Sequence, residues 1–163
     1  GKSFGNGHPV AAVICKKKIA DKFNNGMEFF SSFGGNPVSC ATANEVLNEI
    51  QLKNLQLNAK KTGDYLIKKI TKLSKKYPII AQIRGKGLFL GFELATKLLE
   101  PLPKQTKYLI NRMQEFKILL SSDGLDKNVI KIKPPLTFSI ENSDYLISCL
   151  DTVFSEDYMN LNH

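Results

Sequence analysis

Apolar positions along the chain switch between two periods. VAAVIC at 10 to 15 is a short continuous apolar run, which predicts a buried strand. KKKIADKF then reads as a short amphipathic helical turn, with Ile19, Ala20 and Phe23 facing inward. GMEFFSSFGGNPVSC sets aromatics and glycines around serines and reads as a folded loop, with Asn36 as the cap and Pro37 as the first residue of a helix. That helix carries Val46, Leu47 and Ile50. A second runs from Leu55 to Tyr77 along the stripe Leu55, Ala59, Leu66, Ile70, Leu73 and Tyr77, and Pro78 ends it.

Alternation then takes over. IIAQIR at 79 to 84 and GLFLGFEL at 87 to 94 predict two strands joined by a Gly85-Lys86-Gly87 turn. Residues 105 to 116 return to helical spacing through Tyr108, Leu109, Met113 and Phe116. ILLS at 118 to 121 and VIKIK at 129 to 133 predict strands around a polar turn, and a last helix spans about 142 to 154. The order α, α, β, β, α, β, β, α after residue 38 predicts a compact α/β sandwich, a small sheet with helices packed on it. The first forty residues read as the edge of a different domain, whose strand has no partner evident in the sequence. Residues 1 to 50 are therefore assigned to one domain and its connecting helix, and 51 to 163 to a second.

With 163 residues, 42% of them hydrophobic, the chain can bury one good core. No stretch approaches the roughly 20 apolar residues that span a bilayer, and no charged-then-apolar leader is evident, so a cytoplasmic protein with no membrane partner is expected. Cys15, Cys40 and Cys149 are far apart and lack metal-ligand spacing, which argues against a disulfide framework or a metal site. The net charge of +8 raises nucleic acid as a partner, yet only Arg84 and Arg112 are arginine and the lysines are scattered. Base readers and phosphate clamps favour the guanidinium fork, so nucleic-acid binding is not expected.

The candidate chemistry begins at GKSFGNGHPV. As the end of a phosphate-binding loop it fails: Gly5, Gly7 and Pro9 oppose the helix that such a loop must open, and the upstream half of the motif is missing. Two readings of Lys2 remain, a solvated surface residue or a nucleophile toward a carbonyl, as in the attachment of pyridoxal phosphate. Ser31 and Ser32 precede a Gly-Gly turn and can offer hydroxyls to a phosphate, or serve only to brace the loop. Arg84, at a strand end before a glycine, can grip a carboxylate or sit in a structural ion pair. His8 is expected as a loop hydrogen-bonder and Asp123 as a turn residue.

GKSFGNGHPVAAVI, SSFGGNPVSCA and IRGKGLFLGFEL, in that order, resemble blocks of the class III aminotransferases, fold-type I pyridoxal-phosphate enzymes. The resemblance implies that Lys2 is the Schiff-base lysine, that Ser32, where many members have Thr, reaches the cofactor phosphate of a neighbouring subunit with Ser31 beside it, and that Arg84 binds the substrate carboxylate. It implies the end of a fold-type I large domain followed by the small C-terminal domain, a homodimeric parent, an amine or amino-acid substrate and amino-group transfer. HPVAAVI and LLSSDG followed by NVIKIKPPL are similar to the ethanolamine-phosphate and phosphohydroxylysine phospho-lyase branch, so elimination of phosphate from an O-phosphorylated amine is the alternative. A non-catalytic interaction domain is the third reading. Gly1 in place of an initiator methionine suggests a piece of a longer chain, expected to be inactive alone because the cofactor's other contacts precede the lysine.

Overall fold

The computed structural model describes residues 4–161, which fall into two compact units divided between Asn54 and Leu55.

In the first unit a tight turn at residues 4 to 7 leads into an irregular stretch, followed by α1 (Lys17–Phe23) and α2 (Pro37–Leu52). Pro37 starts α2 because its missing N–H is not needed there and its fixed φ suits the first helical position. The Asn36 side chain caps it, accepting from the Ser39 N–H at 2.9 Å. Two sequence expectations are corrected here. Residues 10 to 15 form no strand, and Val13 and Ile14 are almost fully exposed, at 93% and 95%. A strand is stabilised by a neighbour's ladder, and none of the described strands pairs with this run. The helix at 17 to 23 forms, but it buries no residue, so Ile19 and Phe23 do not face a core.

The second unit follows the predicted order. It contains α3 (Leu55–Lys76), β1 (Ile80–Lys86), β2 (Phe89–Leu94), α4 (Pro103–Glu115), β3 (Ser121–Asp123), β4 (Val129–Ile132) and α5 (Ile140–Phe154), with a short 3-10 turn at Asp157–Met159. The strands make one antiparallel sheet in the order β1-β2-β4-β3. Helices α3 and α5 lie together, with α3 against β1 and α4 against α5 and β3. The mixed α/β architecture is therefore a helical layer on one face of a small sheet.

Alternation along the strands decides which face is covered. Leu90, Phe92, Leu94, Ile130 and Ile132 point into the helices and are buried with Leu66, Ile70, Leu109, Met113 and Leu150. Each such side chain contributes about 1.5–3 kcal/mol on burial. The intervening residues, Arg84, Gly91 and Lys131 among them, form the other face.

The β1–β2 connection differs from the expected Gly85-Lys86-Gly87 turn. Lys86 pairs with Phe89, so β1 continues through Gly85 and the turn is Gly87-Leu88. Gly87 has φ +57°, the conformation that a two-residue hairpin asks of its first central residue. Gly85 pairs with Leu90 in the ladder, and only glycine fits there, since a Cβ would stand 2.4 Å from the Leu90 Cα and φ is +144°. The strand expected at 118 to 121 is shifted to Ser121–Asp123, since the turn ending at Asn128 sets the register Ser121↔Lys131 and Asp123↔Val129.

Candidate active site

Lys2 lies outside the described residues. The loop that follows it is tied back on itself and to α2. The His8 N–H donates to the Gly5 carbonyl at 3.0 Å, and buried Gly5 leaves no room for a side chain, since a Cβ would stand 2.2 Å from the His8 oxygen. His8 Nε2 meets Ser39 Oγ at 2.8 Å, and the Asn36 side-chain amide donates to the same oxygen at 3.0 Å. His8 is thus the loop hydrogen-bonder that the sequence suggested, and the loop after Lys2 is fastened to the first turn of α2. A cavity of about 930 Å³ opens between them, lined by Phe4, His8, Val10, Phe33, Gly34 and Ser39 among others.

Ser31 and Ser32 lie in the exposed loop before α2. Ser31 Oγ accepts from the Gly34 N–H at 3.1 Å and so braces the turn. Ser32 makes no side-chain hydrogen bond among the described residues, which leaves its hydroxyl open to a ligand. Gly35 at φ +71° turns the chain into the Asn36 cap of α2, and Ser32 precedes that turn in the loop. A hydroxyl without a side-chain partner in a loop that leads into a helix can donate to a phosphate. The first turn of α2 adds little to it, since Pro37 has no N–H, Ser39 donates to the Asn36 side chain and Cys40 to the Asn36 carbonyl. Of the two serines, Ser32 is thus the one whose hydroxyl is available to a phosphate such as that of the cofactor implied by the sequence motifs.

In the second unit Arg84 is half-exposed on the outer face of β1. Its Nη1 donates to Gln82 Oε1 at 2.5 Å and to Glu93 Oε2 at 3.0 Å, so the structural ion pair is real. One nitrogen carries both contacts, which leaves Nη2 and Nε of the fork for a ligand. The register adds a residue that the sequence reading missed. Arg84 pairs with Gly91, and Gly91 with Lys131, in one row across three strands. Direct cross-strand neighbours share a face, and the middle one has no side chain. Arg84 and Lys131 therefore flank a slot at Gly91 that holds no side chain, and a Cβ there would meet the Ile130 carbonyl oxygen at 2.4 Å. The slot belongs to a cavity of about 670 Å³ lined by Arg84, Lys86, Phe89, Gly91, Asp123 and Lys131.

Asp123 pairs with Lys131, and the Gly124 N–H donates to its carboxylate at 3.0 Å. The Lys131 ammonium, with that backbone donor, holds the Asp123 carboxyl below its ordinary value. Asp123 is thus both the expected turn residue and the ion-pair partner of Lys131. The signal for Lys131 was present in VIKIK, whose alternation puts residues 131 and 133 on the solvent face. What the sequence did not show was the β2–β4 register that sets Lys131 opposite Gly91. Among the described residues, no helix is long and apolar enough to cross a membrane.

Comparison with known proteins adds a frame for these positions. The family model described as aminotransferase class-III matches residues 1–154. An alanine–glyoxylate aminotransferase 2-like protein of Drosophila melanogaster is 42% identical over 163 residues, 95% of this chain and 33% of that protein. A phospholyase from Arthrobacter, solved in complex with phosphoethanolamine, is 35% identical with a TM-score of 0.91, covering 96% of this chain and 37% of that one. An amine transaminase from an uncultivated Pseudomonas species, solved in its PLP-bound form, is 27% identical with a TM-score of 0.75, over 85% of this chain and 33% of that one. The chain spans about a third of the length of the curated relatives it matches.

Proposed function

The chain belongs to the aminotransferase class-III family, and on that premise we propose that it serves a pyridoxal-phosphate-dependent reaction, amino-group transfer from an amine or amino acid. The observation that carries the reading is the family match over residues 1–154, which takes in the Lys2, Ser31–Ser32 and Arg84 motifs in a single frame. Pyridoxal phosphate, when bound, supplies the electron sink that stabilises negative charge on the carbon bearing the substrate nitrogen. Lys2 would hold it through Nζ. The Ser32 hydroxyl, with Ser31 beside it, would donate to its phosphate. Arg84, joined by Lys131 across Gly91, would bind the substrate's anionic group and fix its orientation.

Residues 1 to 50 read as the edge of the cofactor-binding domain and 51 to 163 as the small substrate-side domain of a cytoplasmic homodimer. The dimer is part of this reading because the Ser31–Ser32 segment is assigned to a neighbouring subunit's cofactor. Elimination of phosphate from an O-phosphorylated amine is favoured as the second reading by one observation, the likeness to a phospholyase holding phosphoethanolamine.

The test is reductive trapping. The full-length parent that contains this chain is loaded with pyridoxal phosphate, reduced with borohydride and digested, and the modified lysine is located by mass. A single adduct on Lys2 is expected, after which keto-product formation and phosphate release separate the two reactions. Labelling spread across the other lysines would overturn the enzyme reading and leave an interaction domain in its place.

A further inference from the structure

Helix α3 carries seven lysines and a single carboxylate, Asp64. Three of the lysines have countercharges: Lys60 pairs with Asp64, and Lys69 and Lys76 pair with Asp144 and Asp151 of α5. Among the described residues, no ion pair includes Lys61, Lys68, Lys72 or Lys75, nor Glu141, the remaining carboxylate of α5. All four of these lysines are exposed. Lys68, Lys72 and Lys75 follow Lys61 by seven, eleven and fourteen residues, close to two, three and four turns of a helix with about 3.6 residues per turn. They therefore form one line down α3, about 21 Å long at roughly 1.5 Å per residue, on the side opposite the buried Leu66, Ile70 and Leu73. The sequence expectation rested on dispersed lysines, and the helical register gathers four of them.

A single exposed lysine is solvated and needs no explanation. A line of four is different. Lys68 with Lys72, and Lys72 with Lys75, are neighbours on the helix surface and repel each other, which by itself destabilises the helix. The one carboxylate of α3 that could offset them, Asp64, is engaged by Lys60. The mean gap of about 7 Å along the line is within the Debye length of about 8 Å at physiological salt, so the four act on an approaching anion as one row. A polyanion laid along the helix relieves this charge. The make-up of the row selects among polyanions. It holds no arginine and so lacks the fork that reads bases. Tyr65 and Tyr77 are half-buried with their hydroxyls donated to Asp144 and Asp151, which leaves no stacking platform for a single strand. A row one helix wide, bordered toward α5 by paired ions, sets few cations against a flat anionic membrane. A facing acidic helix brings one carboxylate per three or four residues, whereas a duplex carries a negative charge about every 1.7 Å of its axis. Lysines meet that backbone as point charges, without the bidentate geometry that favours arginine on carboxylates.

We propose that the line Lys61, Lys68, Lys72 and Lys75 is a contact surface for the phosphate backbone of double-stranded nucleic acid, bound without regard to sequence. The line runs down the outward side of the helical layer, whereas Arg84 and Lys131 lie on the uncovered face of the sheet. The surface is therefore separate from the residues assigned to the reaction and does not rest on that assignment.

The test is fluorescence anisotropy with the full-length parent that contains this chain and two short labelled duplexes of unrelated sequence, titrated between about 50 and 200 mM salt. The logarithm of the affinity should fall linearly with the logarithm of the salt concentration. The expected slope is about −3.6, from about −0.9 for each of four phosphates neutralised, and equal for both duplexes. Each single change to Ala, Lys68→Ala for example, should flatten the slope by about 0.9, and Lys68→Arg should restore it. Changing all four to Ala should abolish duplex binding while the thermal melt stays level or rises, because the repulsion along α3 is removed. The control changes four exposed lysines off the line, Lys97, Lys104, Lys107 and Lys133, to Ala and should keep the slope. No duplex binding at about 50 mM salt, an unchanged slope in the fourfold variant, or an equal loss in the control would each overturn the surface. Tighter binding to phosphatidylserine vesicles or to polyglutamate than to the duplexes would give the row to a membrane or an acidic protein, and would overturn it too.

Discussion

Gly63 in the middle of α3 and Gly87 at the tip of the β1–β2 turn are in direct backbone contact. A Cβ on Gly63 would stand 2.1 Å from the Gly87 carbonyl oxygen. Helix and hairpin are thereby locked at the place where β1 turns into β2, and the turn positions the cations of the outer face. Gly63→Ala should gain roughly 1 kcal/mol of helix propensity and lose more, because the atoms in the way are backbone and cannot rotate aside. Overpacking of this kind costs typically about 1–3 kcal/mol or more. A net loss of stability in urea unfolding is expected, with Lys61→Ala on the exposed side of the same helix near neutral. Equal midpoints for the two variants would refute the close contact.

Glu156 gathers the end of the second unit. Its carboxylate accepts from Arg112 Nη2 at 2.8 Å, from Arg112 Nε at 3.1 Å and from the Tyr108 hydroxyl at 2.6 Å. The Arg112 guanidinium, aided by Tyr108, holds the Glu156 carboxyl below its ordinary value against a smaller opposing effect of burial. Asp151 is lowered likewise, by Lys76 first and then Tyr77. A depressed carboxylate stabilises the fold fully above its unfolded pKa, near about 4.3 for Glu. That stabilisation is lost as pH falls through the lower, folded value. Thermal melts from pH 7 down to pH 3 should therefore show the second unit weakening below about pH 4.3, and Glu156→Gln should flatten that dependence. A wild-type melting temperature that is level over this range would contradict the linkage.

The Asn36 cap should be worth about 1 kcal/mol. Asn36→Ala removes the acceptor of the Ser39 N–H and also the amide that bonds Ser39 Oγ, the atom His8 meets. Hydrogen exchange at the Ser39 N–H should accelerate severalfold, and the loop after Lys2 should loosen with it. Asn36→Asp keeps the acceptor and should keep the slow exchange while losing the second contact. If both variants exchanged at the wild-type rate, the capping geometry would be disproved.

Element order in the second unit was readable because each helix and strand there buries its own apolar period against the same core. Leu66, Ile70, Phe92, Ile130 and Leu150 are fully buried, as their spacing implied. The failures have a common cause. VAAVIC has the composition of a strand, but a strand's stability lies in its neighbour, and composition does not say whether one is present. Register was likewise hidden. Lys131 and Lys133 were visible as alternating charges, whereas their placement opposite Gly91 and beside Phe89 is a property of the β2–β4 pairing. Arg84 was picked out by its motif, yet its Glu93 partner lies nine residues away, on the next strand.

The Arg84 and Lys131 pair yields the sharpest test of the proposed function. If both cations bind one substrate anion across Gly91, each single variant, Arg84→Gln or Lys131→Met, should raise KM about tenfold or more with a much smaller effect on kcat. That is the sign of binding shared by ground and transition states. The double variant should fall short of the product of the singles, because the second change removes a partner from an anion already poorly held. Each cation also holds a carboxylate, Glu93 or Asp123, and removing it frees that negative charge to repel the substrate. Lys131→Met/Asp123→Asn and Arg84→Gln/Glu93→Gln separate the two effects: recovery of KM in these pairs isolates the repulsion, and the remaining deficit measures the direct contact. Strict multiplicativity with no recovery would assign the two residues to independent structural roles and remove the slot at Gly91 from the substrate site.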